Sequence, residues 1–147
     1  MPFLPSLPFA SEPSYLRSVR ASAWYDLAVT WPFALPWTLA WLHARLAALA
    51  GALGLPGVLP ALDVQHVLFA NLLGSVVIVW SLARLLQPSV VLGRLDALAR
   101  LLFAVWQVYA VARGASAVVL GFTLFELLFG VLQARPVAGA SVPGRRQ

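Results

Sequence analysis

Residues 89–135 read SVVLGRLDALARLLFAVWQVYAVARGASAVVLGFTLFELLFGVLQAR, and the way this stretch is divided decides the fold. A helix needs about 20 apolar residues to cross the roughly 30 Å hydrocarbon layer of a bilayer. Arg100, Arg113 and Glu126 leave only residues 101–112 and 114–125 uncharged, and each run is too short to cross. Read as one span, the stretch buries Arg113 at its centre and carries a long amphipathic flank. Read as a hairpin, it gives a helix over about 89–112 and another over about 115–134, with Arg113-Gly114-Ala115-Ser116 as the turn and Gly114 as a natural helix stop. The hairpin places its charges better.

Inside that hairpin the polar residues fall into register. Asp96, Arg100 and Gln107 lie within about 40° of one another at 100° per residue, so they share a helix face. Thr123, Glu126 and Gln133 form a second stripe, with Gly130 between them. Arg100 stands 13 residues before Arg113 and Glu126 stands 12 after Gly114. At ~1.5 Å per residue both lie about 18–20 Å from the turn, which predicts an Arg100–Glu126 ion pair within the membrane. The same register sets Asp96 beside Gly130 and Gln107 beside Val119. Asp96 competes for Arg100 through its i, i+4 spacing. An unpaired charge at that depth costs about 2.5–3.5 kcal/mol or more, and a hydrogen-bonded partner offsets a good part of it. The pair either locks two helices together or forms a proton-responsive or ligand-binding centre, and the residues alone leave both open.

The rest of the chain fits a membrane frame. Of its 147 residues 61% are apolar and 10% charged, against about 25% charged in soluble domains. There is no Cys, which removes disulfides, thiolate metal sites and cysteine nucleophiles. A second hairpin precedes the first. One helix is expected over about 24–49, kinked but continuous through Pro32 and Pro36, ending at the Gly51, Gly54, Pro56, Gly57 and Pro60 cluster. The other covers about 63–86, uncharged from Val64 to Ala83 and stopped at Gln87-Pro88. The expected fold is therefore all-α, a transmembrane four-helix bundle over 23–134, with a proline-rich arm over 1–22 and a flexible basic tail over 135–147.

All ten cations are arginine, the coding bias of a GC-rich, bacterial genome. Arg17, Arg20, Arg84, Arg94, Arg135, Arg145 and Arg146 fall on one side of the four spans and Arg45 and Arg113 on the other. Seven against two puts both termini in the cytoplasm of a bacterial inner membrane. Trp24, Tyr25 and Trp80 mark the inner interface, and Trp41, Trp106 and Tyr109 the outer one. The charges are too sparse and scattered for nucleic acid. The expected partners are the bilayer itself, anionic headgroups at the basic tail, and another membrane protein or a second copy of the chain. Phe3, Leu4, Leu7 and Phe9 of the arm are placed on the membrane surface, and Ser11-Glu12-Pro13 can open a helix that carries Tyr15, Leu16 and Arg17 toward the bilayer.

Other candidates carry weaker chemistry. Asn71 and Ser75 lie on one side of the second helix. Ala70-x-x-x-Gly74 and Ala117-x-x-x-Gly121 have the small-residue spacing of close helix contacts. Asp26 and Thr30 are expected at the cytoplasmic entrance, where Asp26 makes a surface-level pair with Arg84 or Arg94. His43 and His66, with Asp63 nearby, could ligate haem or a divalent metal, but two ligands at unspecific spacing specify no cofactor and interfacial histidines ordinarily meet water. No metalloprotease, phosphate-loop or nucleophile-elbow motif occurs, so no enzyme is expected.

A chain of this size with four spans and both ends inside resembles the DoxX-like group of small inner-membrane proteins, most closely in GRLDALARLLFAVWQ (93–107) followed by GFTLFELLFG (121–130). The resemblance implies a four-helix bundle and an accessory role near membrane redox systems, with no site residue to carry over. The expected function is an accessory or scaffold subunit of a membrane complex. The alternative is a small transporter or quinone-type ligand site using the Arg100/Glu126 seam, with the kinked first helix as its moving element.

Overall fold

A computed structural model describes residues 10–138. The expected membrane contacts of Phe3, Leu4, Leu7 and Phe9, and the flexible basic tail from residue 139 onward, lie outside the described residues. Five α-helices follow one another: α1 (Glu12–Thr30), α2 (Pro36–Ala52), α3 (Val64–Leu86), α4 (Val90–Ala112) and α5 (Leu120–Ala134), with a 3-10 turn at Trp31–Ala34 between α1 and α2 and another at Ala117–Val119 before α5. Two residues at each end of this region, β1 (Ala10–Ser11) and β2 (Val137–Ala138), pair in parallel.

Local chemistry accounts for the boundaries. Asp63 caps α3 by accepting the His66 N–H at 2.8 Å, and Ser89 caps α4 by accepting the Leu92 N–H at 3.1 Å. Gln87 ends α3 just before Pro88, and Arg135 turns extended before Pro136 because a residue preceding proline is driven out of the helical region. Gly114 closes the α4 end at φ 101°, a left-handed conformation that glycine adopts without strain.

The expected single kinked helix over 24–49 is corrected to two helices, and the first begins at Glu12. The chain breaks at Trp31-Pro32-Phe33-Ala34-Leu35-Pro36, where Leu35, forced to φ −129° and ψ 137° by the following proline, cannot continue the helix. The break survives because side chains serve the orphaned carbonyls. Thr38 Oγ1 donates to Pro32 O at 2.8 Å, replacing the N–H that Pro36 lacks, and Asn71 Nδ2 of α3 donates to Phe33 O at 2.7 Å.

Three helical segments, Val64–Leu86, Val90–Ala112 and Ala117–Ala134, are long and apolar enough to cross a membrane. Their surfaces are inverted relative to a soluble protein. Phe69, Val76, Val79, Leu101, Val105, Trp106, Leu124 and Leu128 are exposed, whereas Ser22, Ser81, Arg84, Asp96, Arg100 and Gln133 are buried. Water would penalise both choices, and lipid rewards both. The buried apolar side chains Tyr15, Val19 and Val137 form a small cluster at the end where β1 meets β2.

Packing sets the site's walls. α4 and α5 pack along their length, α1 lies against α3 and touches both α4 and α5, and α3 and α4, though joined by a short turn, separate beyond it. At the far end, the loop before α3 is tied to the α4–α5 turn by the Val58–Ala115 bridge.

Candidate functional site

Five ionisable side chains from four helices meet in the interior. Arg100 of α4 donates three ways: Nε to Asp96 Oδ2 at 2.9 Å, Nη1 to Glu126 Oε2 at 2.8 Å and Nη2 to Asp26 Oδ2 at 2.7 Å. Arg84 of α3 lies one step closer to the α3–α4 turn. Its Nη1 donates to Asp96 Oδ2 at 2.6 Å and its Nη2 to Asp26 Oδ2 at 2.5 Å. The Arg84 fork thus spans two carboxylates on different helices and the Arg100 fork three, a task its planar geometry suits and a point charge does not.

Neutral groups extend the network. Ser22 Oγ accepts from Arg84 at 3.0 Å and from Gln133 Nε2 at 2.7 Å, Ser81 Oγ accepts from Arg84 at 3.1 Å, and Trp80 Nε1 donates to Asp96 Oδ1 at 2.9 Å. Tyr15 Oη donates to Gln133 O at 2.8 Å. On one side the network is sealed by aromatic packing, with Tyr25 stacked on Phe125 at 4.8 Å and the Arg100 guanidinium over the Phe129 ring at 5.2 Å.

The residues singled out from sequence sort clearly. Arg100, Glu126 and Asp96 meet directly, and both partners considered for Arg100 are used at once. Thr123 Oγ1 donates to Gln107 Oε1 at 2.7 Å, one helical turn above the ions. The expected register is corrected by about one turn. Gln107 faces Thr123 rather than Val119, and Gly130 lies beside the Arg100 Cβ rather than Asp96, at 3.7 Å for a built Cβ. The turn, prolonged by Gly114 and the 3-10 residues Ala117–Val119, centres later than Arg113.

Gln133 joins Ser22, and Asn71 serves the α1–α2 break instead of the ions. Ser75 bonds only its own helix, to Asn71 O at 2.8 Å. Asp26 and Arg84 are corrected from a surface-level pair to the centre of the network, with side-chain exposures of 12% and 0%. Arg94 instead donates to Ala134 O at 2.5 Å and Arg135 O at 2.8 Å. Trp80, expected at the headgroups, points its N–H inward.

His43 and His66 are separately engaged. His43 Nε2 donates to Pro60 O at 2.8 Å, and His66 Nδ1 lies 3.0 Å from Asp63 Oδ1. The His66 backbone N–H holds the Asp63 carboxyl below its ordinary range. Among the described residues no group of three or more His, Cys, Asp or Glu is arranged to hold a metal ion.

Beside the network, in the gap where α3 and α4 diverge, lies a cavity of about 490 Å³. Leu73, Val77 and Trp80 of α3 form one wall, Ala99, Phe103 and Gln107 of α4 the other, and Asp26, Arg100 and Glu126 are at its base. Its rim residues Val76, Leu95 and Phe103 are exposed on the outer surface of the helices, so the mouth opens sideways. Comparison of the chain with protein-family models, curated proteins and solved structures finds no match.

Proposed function

We propose that this chain is a multi-pass protein of a bacterial inner membrane, a bundle of four crossings with both ends in the cytoplasm, and that it receives a small ligand from the bilayer in the cleft between α3 and α4. The cavity beside the ion network carries this reading. Consecutive helices joined by a short turn would ordinarily close against each other, and a network needed only for cohesion would be covered on every side. Here two helices part at the level of the charges and leave apolar walls above a polar base, the arrangement of a ligand pocket. The first crossing is supplied by α1 and the beginning of α2. The contact of His43 with Pro60 in the loop before α3 supports a crossing that ends near the middle of α2, next to Arg45.

A second reading, an accessory or scaffold subunit of a membrane complex with a DoxX-like layout, is supported by the way one network ties α1, α3, α4 and α5 together. It needs no ligand. Leu73→Trp separates the two, because Leu73 lines the cleft, is half exposed and takes no part in the ion network. Under the ligand reading, mass spectrometry of the purified full-length protein finds a lipid-soluble compound retained by the wild type and lost from the variant at equal abundance. If neither protein retains a small molecule and both co-purify with the same membrane partner, the scaffold reading holds.

A further inference from the structure

Carboxylates outnumber cations among the charged groups that line the cavity, Asp26, Asp96 and Glu126 against Arg100. Nε, Nη1 and Nη2 of Arg100 each donate to a carboxylate, which leaves one further N–H on each Nη, and Arg84 is fully buried away from the cavity lining. Asp26 and Glu126 both line the cavity and keep 12% and 13% of their side-chain surface exposed. Asp26 Oδ2 and Glu126 Oε2 are the oxygens that bind the guanidiniums, and among the described residues Asp26 Oδ1 and Glu126 Oε1 accept no hydrogen bond. Three carboxylates also face two guanidiniums, so the fully ionised network holds one negative charge in excess. The remaining walls are rich in aromatic rings, from Phe33, Trp80, Phe103 and Phe122. Ring faces attract cations, the more so when water is excluded.

From this complementarity we infer that the cleft binds a monovalent amphipathic organic cation of the amine, quaternary ammonium or phosphonium class, with its charge against Asp26 and Glu126 and its apolar body between α3 and α4. The inference rests on the reading of the cleft as a ligand site. It disfavours the mirror-image ligand, since an anion would meet surplus charge of its own sign. A neutral ligand carrying only acceptors, such as a quinone, would find few donors on the lining, the Thr30 hydroxyl, the Gln107 amide and the second N–H groups of the Arg100 Nη atoms, and would leave the surplus charge unbalanced. A cation brings the count of charges to balance and uses the unpaired oxygens.

Tetraphenylphosphonium and tetraphenylborate have the same shape and opposite charge, and triphenylphosphine oxide is a neutral counterpart. Binding of each to the full-length protein in nanodiscs of zwitterionic lipid tests the inference. Phosphonium is expected to bind saturably and at least about tenfold more tightly than borate, and Glu126→Gln to weaken it by about tenfold, narrowing its gap to the neutral oxide. Should Glu126→Gln fail to fold, Phe103→Leu removes an aromatic wall without touching the ions and is expected to weaken phosphonium more than the oxide. Equal affinities for cation and anion, or a quinone analogue that displaces phosphonium and binds more tightly, would overturn the cation assignment. Leu73→Trp distinguishes the deeper failure. Probe binding that it abolishes keeps the cleft as a site whatever the preferred charge, and absence of saturable binding by every probe removes both the cleft and the cation.

Discussion

Arg84 and Arg100 are buried alike but differ in what surrounds them. Arg100 sits among three carboxylates, and Arg84 is fully enclosed between Asp26 and Asp96 with its Nε left without a partner. Deleting Arg84 would leave three carboxylates around a single guanidinium in the interior. Arg84→Met is therefore expected to lower stability by about 3–5 kcal/mol, the range for breaking a buried ion pair. Arg84→Lys should recover only part of the loss, because one ammonium cannot span carboxylates on two helices. Denaturation in mixed micelles measures both, and a methionine variant as stable as the parent would refute the network's structural role. The sequence pointed to Arg100 and Glu126 through their polar stripes and through depth, since both lie far from any span end. Asp26 and Arg84 could not be found that way. Counting spans between charges treats flanking charges as solvated ends, and their burial depends on α1 entering the bundle from Glu12, earlier than the apolar pattern suggests.

Helix-to-helix distances are set by glycine, and only at certain positions. A Cβ on Gly74 would stand 2.6 Å from Phe33 C and 2.7 Å from Ala34 N, backbone atoms of the break between α1 and α2 that have nowhere to retreat. A Cβ on Gly121 would meet nothing within 4 Å. The two positions have the same small-residue spacing in the sequence, and nothing there distinguishes them. What separates them is the break itself. Its exposed backbone, held by Asn71 and Thr38, comes close enough to α3 to require a bare Cα, and a continuous kinked helix would not have brought it there. Gly74→Ala is expected to cost about 1–3 kcal/mol through overpacking. Gly121→Ala should be neutral or stabilising by up to about 1 kcal/mol from helix propensity. Thermal melts of the two variants in the same detergent test the contrast, and equal shifts would mean that the α1–α2 break does not press on α3. The hairpin of α4 and α5 was legible because its turn residues and polar stripes agree. Its register was not, since one turn of offset follows from how Gly114 and the short 3-10 segment round the corner.

At the scale of the molecule, the end where β1 pairs with β2 also carries the α3–α4 turn, and the loop before α3 is bridged to the α4–α5 turn at the opposite end. Arginine is unevenly divided between these ends. Arg84 drops out of the comparison because it is spent in the interior, which leaves Arg17, Arg20, Arg94 and Arg135 at the first end and Arg45 and Arg113 at the second. Under the proposed topology this bias assigns the first end to the cytoplasm. A chain without cysteine allows a direct test, because every introduced thiol reports alone. With intact cells, Ala61→Cys in the loop before α3 should react with a membrane-impermeant maleimide from outside, whereas Gln87→Cys should react only after the cells are opened. Val105→Cys, exposed on α4, should resist the reagent in both cases under the proposed membrane placement, in which lipid would cover it. Labelling of Gln87→Cys from outside would invert the topology, and rapid labelling of Val105→Cys would mean that the apolar outer surface faces water. An interior this polar would then have no reason to be shut away from it.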